Sequence, residues 1–191
     1  MKRILLFFIA FSLLCGCSSK NESTTEEDIS KKISEEYSVS IANPFKPITA
    51  ERILELFESG TGAVFIGIPN DKSSSEFAQY LMRSADSQNV KTIYYIELNE
   101  LKNDKNYKGI LSELIGCKKY EKDDIIAPLA LFIEEGDIVG IEDGKGLLSV
   151  KQVDTDNTDK ENATTYNKNV ELILDNRMKC VTEFVCNKYC E

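Results

Sequence analysis

Cysteine supplies most of the chemistry this sequence could perform. There are six, Cys15, Cys17, Cys117, Cys180, Cys186 and Cys190, and there is no histidine among the 191 residues. Without histidine, neither a Ser-His-Asp nor a Cys-His nucleophile can be assembled, and no zinc site can use imidazole ligands. A glycine-rich phosphate loop of the P-loop or dinucleotide type is also missing. Cys180, Cys186 and Cys190 crowd the C-terminal end at spacings that do not match a Cys-x-x-Cys redox pair. With Cys117 they make up four candidate disulfide thiols. On one continuous helix, Cys186 and Cys190 would share a face and Cys180 would point away. Three uses are open to them: structural disulfides that staple the tail to the domain, a displaced redox centre, or a four-thiolate zinc site that lacks the usual close-paired spacing. The staple is the expectation, with Cys117 as one candidate partner. The sequence does not choose among the three possible full pairings.

A second cluster, Asp154-Thr155-Asp156-Asn157-Thr158-Asp159, invites a calcium reading. An EF-hand loop needs Gly at its sixth position and Glu at its twelfth, where this chain has Asp159 and Thr165. Residues 147–165 therefore read as a solvated acidic loop. No metal and no cofactor are expected.

The N-terminal end carries a different signal. Met1-Lys2-Arg3 is followed by an apolar run over residues 4–14, interrupted only by Ser12. Such a run is well short of the roughly 20 apolar residues that span a bilayer, and suits a signal peptide. Leu14-Cys15-Gly16-Cys17 resembles the lipobox of bacterial lipoproteins, with the small Gly16 just before the acceptor. That resemblance implies a signal peptide at residues 1–16 and a diacylglycerol on Cys17, holding the chain at the extracytoplasmic face of the cell membrane. Residues 17–37 are polar and charged and read as a flexible tether. Removing residues 1–16 takes away Lys2 and Arg3 and no acid, which moves the formal charge from −9 to −11. A surface so acidic is unsuited to nucleic acid and to anionic headgroups, so the lipid must provide the membrane attachment.

The folded part is expected over residues 38–191. Val39 and Ile41 alternate with polar neighbours and suggest a first strand. A helix should start after Thr49, with Ile53, Leu54 and Phe57 on one face. Ala63-Val64-Phe65-Ile66-Gly67-Ile68 is a continuous apolar run and should be a strand covered on both faces. Phe77, Tyr80, Leu81 and Ser84 mark a helix, residues 91–97 a strand, and Ile110, Leu111, Leu114 and Ile115 another helix. Residues 129–133 and 138–141 flank a turn at residues 134–137 and read as an antiparallel hairpin. A final helix is expected over residues 166–184. Helices between the early strands predict an α/β fold with parallel pairing, closed by the hairpin and a C-terminal helix.

Two segments within this pattern resemble the thioredoxin fold. One is Phe65-Ile66-Gly67-Ile68-Pro69-Asn70-Asp71-Lys72-Ser73-Ser74, which occupies the place of the family's apolar-Gly-x-Pro-x-Cys-x-x-Cys segment. The other is Ala127-Pro128-Leu129-Ala130-Leu131-Phe132, followed by Glu134-Glu135-Gly136-Asp137, which is similar to the family's cis-proline strand and hairpin. Among thioredoxin-like proteins, the chain most resembles the bacteriocin transport accessory proteins. The resemblance implies a central mixed sheet flanked by helices, and a cis Ala127–Pro128 bond facing the loop. The two thiol positions, however, hold Asp71 and Ser74. Asp71 places a carboxylate where an active member needs a thiolate, and Ser73 with Glu76 matches a capping box.

These features point to a membrane-anchored, redox-degenerate binding or accessory module of the bacterial envelope. It would use Asp71, Lys72, Ser73, Ser74 and Pro128 as the rim of a groove for an extracytoplasmic protein or peptide. The alternative is an extracytoplasmic thiol-disulfide oxidoreductase that uses the C-terminal cysteines.

Overall fold

In a computed structural model that describes residues 25–154, 160–183 and 186–190, the chain forms seven helices and five strands. In chain order these are α1 (Glu26–Tyr37), β1 (Phe45–Pro47), α2 (Ala50–Ser59), β2 (Gly62–Gly67), α3 (Lys72–Ser87) and β3 (Ile93–Glu97). They continue with α4 (Leu98–Asn103), α5 (Tyr107–Gly116), β4 (Leu129–Glu134), β5 (Asp137–Asp143), α6 (Gly144–Asp154) and α7 (Lys160–Glu183). The apolar run of β2 is buried at all six positions and lies at the centre of a mixed sheet ordered β1-β3-β2-β4-β5. Here β2 runs parallel to β3 and antiparallel to β4. The hairpin forms as its pattern predicts, because Glu135 (φ 50°) and Gly136 (φ 90°) supply the two left-handed residues of a tight turn.

Alternation along the strands divides the core in two. Ala63, Phe65, Ile93, Tyr95, Ala130 and Phe132 face α1, α3 and α7, whereas Val64, Ile66, Ile96, Leu129, Leu131 and Ile133 face α2, α4 and α5. Phe65, Phe77 and Phe132 are at most 1% exposed, and each such side chain contributes roughly 1.5–3 kcal/mol by leaving water.

The structure departs from the sequence reading in several places. Residues 26–37, read as tether, are helix α1 docked on the sheet. Thr25 and Asp28 form a reciprocal capping box, and Ile29, Ile33 and Tyr37, four apart, pack into the core. No strand forms at Val39 and Ile41: Val39 is buried in an irregular segment, and Ile41 lies in a bend and is 61% exposed. The first strand is instead Phe45–Pro47, paired with β3. Most of the expected acidic loop is helical. The Asp143 carboxylate accepts from the amides of Lys145 (2.9 Å) and Gly146 (3.2 Å) and so starts α6. The C-terminal helix begins at Lys160, ahead of the expected start. The signal peptide, Cys17 and the centre of the acidic cluster at residues 155–159 lie outside the described residues. Among the described residues, no helix is long and apolar enough to cross a membrane.

Candidate functional site

The segment joining β2 to α3 is held by a closed set of hydrogen bonds. Asp71 is the N-cap of α3, and its carboxylate accepts from the Ser74 amide at 2.8 Å. Ser74 is wholly buried, and its hydroxyl accepts from the Ile68 amide at 3.1 Å. The Asp71 amide donates to the Ile68 carbonyl, and the Asn70 amide donates to the Glu36 carbonyl at the end of α1. Asn70 has a left-handed φ of 58°, a conformation that asparagine tolerates well. The cap is therefore Asp71 rather than the Ser73–Glu76 box expected from sequence. The residue with extended dihedrals just ahead of the first helical turn is Asp71, and only that position can reach back to the amide of Ser74.

Pro128 lies at the same end of the sheet. Ile66 pairs with Leu129, so Pro128 comes just before the strand that borders β2. The Ala127–Pro128 bond is cis. Gly144 connects Pro128 to α3: its amide donates to the Pro128 carbonyl at 2.9 Å. A Cβ on Gly144 would fall 2.7 Å from the Phe77 ring and 2.8 Å from the Pro128 ring. Of the five residues expected to form a rim, Asp71 and Ser73 are partly exposed and Lys72 is exposed, whereas Ser74 and Pro128 are buried. Next to them, Ile126 leaves an apolar surface 39% exposed.

The surroundings of the loop are acidic. Lys32 of α1 bridges Glu97 (3.1 Å) and Glu36 (3.7 Å). Partial burial pushes the Glu36 carboxyl above its usual range, against the pull of Lys32, and nearby Glu97 adds to the rise. The contact with Glu97 raises Lys32 in turn. An open cleft of about 710 Å³ separates α1 from α3, with Glu36, Asn70 and Lys72 on its walls. Glu36 and Asn70 were not singled out from sequence. The spacing of Ile29, Ile33 and Tyr37 was the signal that would have placed α1, and with it Glu36, beside the loop.

The four C-terminal candidate thiols lie elsewhere. They form two disulfides, Cys117–Cys190 and Cys180–Cys186. Cys186 and Cys190 follow α7 rather than sharing a face of it, because the helix ends at Glu183. Cys180 belongs to the core on the α3 side of the sheet and Cys117 to the core on the α2 side. Between them the tail passes the outer strand. The Tyr189 amide donates to the Ile138 carbonyl at 3.0 Å, and Lys188 pairs with Asp137 at 2.9 Å. The Tyr189 ring lies against Lys119 (4.3 Å) and Arg177 (4.7 Å). Arg177 also binds Glu142 at 2.7 Å and the Val139 carbonyl at 3.0 Å, its chain passing closely over Gly140.

The loop thus offers a capped helix start with no thiol, next to a buried proline and an exposed isoleucine. Asn70, Asp71 and Ser74 each spend a hydrogen-bonding group within the chain. Among the described residues, no group of three or more cysteine, aspartate or glutamate side chains is placed to hold a metal ion. Comparison with family models, with curated proteins and with solved structures found no match to this chain.

Proposed function

We propose that the chain is a lipid-anchored, thioredoxin-like domain without dithiol chemistry at its loop, acting as a binding or accessory module at the extracytoplasmic face of a bacterial membrane. The observation that carries this reading is the pair Asp71 and Ser74, tied to each other and to Ile68 where a redox-active relative would hold two cysteines. The strand order β1-β3-β2-β4-β5 and the cis bond at Pro128 favour the thioredoxin-like assignment. Asp71, Lys72 and Ser73, with Ile126, form the accessible surface where an extended protein or peptide would dock. The neighbouring carboxylates of Glu36 and Glu97 disfavour an anionic partner.

Insulin reduction by the full-length chain tests this, alongside a variant with Cys117, Cys180, Cys186 and Cys190 all changed to Ser. No activity in either protein is expected. Activity in the wild type that is lost in the variant would instead make the chain an oxidoreductase using its C-terminal cysteines. Labelling with radioactive palmitate, expected to be lost in Cys17→Ser, tests the anchor.

A further inference from the structure

We propose that residues 186–190 are a redox-latched strap that closes the outer edge of β5, and that a dithiol reductant opens it. A strand at the end of a sheet presents unpaired backbone groups, which folded proteins cover or blunt. Here the cover is the chain's own tail. Tyr189 satisfies the Ile138 carbonyl at 3.0 Å, and Lys188 reaches Asp137 at the start of the strand.

The noncovalent contacts of this segment are few, the Tyr189 ring against Lys119 and Arg177 among them. It contributes one backbone hydrogen bond to the edge, and the Lys188–Asp137 pair is exposed (62% and 44%) and screened by solvent. The strap is instead fixed covalently at its two ends, on opposite faces of the sheet. Cys186 is bonded to Cys180 in one half of the core, and Cys190 to Cys117 in the other. In each bond the body cysteine is buried (Cys180 2%, Cys117 1%), and the strap cysteine is partly exposed. The latch therefore opens from the strap side.

A thiolate of the reductant attacks Cys190 Sγ, the bond to Cys117 breaks, and Cys117 leaves as a thiolate that takes up a proton. The reductant's second thiol then displaces Cys190 from the mixed disulfide. Two electrons and two protons reach the protein, and the reductant ends as a disulfide. The same exchange at Cys186 releases Cys180. The body keeps both halves of its core, the β4–β5 hairpin and the Arg177 contact with Val139, so the change is confined to the strap and the Ile138 carbonyl, which loses the Tyr189 amide as its partner.

Hydrogen exchange read by mass spectrometry on the full-length chain tests this, with and without dithiothreitol and with free thiols counted. Reduction is expected to speed exchange over residues 186–190, where the Tyr189 amide loses its acceptor, by about tenfold or more while residues 62–67 and 93–97 stay protected. A variant with Cys117→Ser and Cys190→Ser should show the same local change without reductant. If that variant does not fold, the reduced wild type still decides the matter. Unchanged exchange over residues 186–190 with Cys117, Cys180, Cys186 and Cys190 all reduced would overturn the proposal. So would a loss of protection spread equally over β2 and β3, since the disulfides would then hold the whole fold.

Discussion

Removing one hydroxyl of the Tyr37–Tyr95 pair should cost more stability than removing both. The two oxygens lie 3.1 Å apart inside the core, with Tyr37 0% and Tyr95 6% exposed. Tyr37→Phe strands the Tyr95 hydroxyl, and Tyr95→Phe strands that of Tyr37. A buried polar group without its partner costs about 1–3 kcal/mol, whereas exchanging both partners for apolar groups of the same shape is nearly neutral. For a domain of this size each kcal/mol moves the melting temperature by roughly 2–4 °C. Each single variant should therefore melt about 2–12 °C lower, and the double variant close to wild type. Thermal melts followed by circular dichroism read all four corners of the cycle.

Alkaline pH provides an independent readout of the same pair. Burial raises both phenols well above their ordinary value of 10.0, and the contact between them raises Tyr95 further. The folded state then keeps protons that the unfolded chain sheds above that pH. The stability present at neutral pH is consequently lost as pH rises past 10, by about 1.4 kcal/mol per pH unit for each phenol. The double variant should lose stability with a shallower slope. Single-variant costs that simply add, or parallel alkaline slopes for wild type and double variant, would refute the reasoning.

Two further substitutions probe other contacts. Asp71→Ala removes the cap of α3 and should lower stability by about 1 kcal/mol in urea titration, whereas Asp71→Ser should stay within a few tenths. Arg177→Ala leaves the Glu142 carboxylate, 12% exposed, without its partner and should cost about 3–5 kcal/mol at neutral pH. Burial already holds Glu142 above its usual value despite the pull of Arg177. Without the arginine the folded state binds that proton more tightly still, so the variant should lose stability as pH rises from about 4.5. An equal loss in urea titrations at pH 4 and pH 7 would count against this.

The elements legible in the sequence were those whose signal is strictly local. The apolar run of β2, the Thr49 cap of α2 and the hairpin around Glu135-Gly136 each rest on residues next to one another, and each formed close to its expected limits. Helix α1 escaped because its stripe is only three residues wide in a strongly charged segment, and composition outweighed periodicity. Asp143 was read as part of a loop because a strand's last residue can also start a helix, a double role visible only once both neighbours are placed. At the site, the absence of thiols at Asp71 and Ser74 was plain from sequence, but the burial of Ser74 was not. It follows from the turn at Asn70, which directs the Ser74 hydroxyl back to Ile68. The disulfide pairing was out of reach, because Cys117 and Cys190 are 73 residues apart and meet only after the tail has passed the edge of the sheet.

That last bond turns part of the chain into a covalent ring. Residues 117–190 form a closed loop that contains β4, β5, α6 and α7, while β1, β2 and β3 lie on the open chain outside it. A single cut by a protease between residues 118 and 189 opens the ring without releasing a fragment, so the two pieces stay joined until the bond is reduced. In chain-entropy terms, a closed loop of this length restricts the unfolded state by about 4 kcal/mol, against about 2 kcal/mol for the small Cys180–Cys186 loop. The ring thus bears on how the domain withstands proteolysis as well as on its stability.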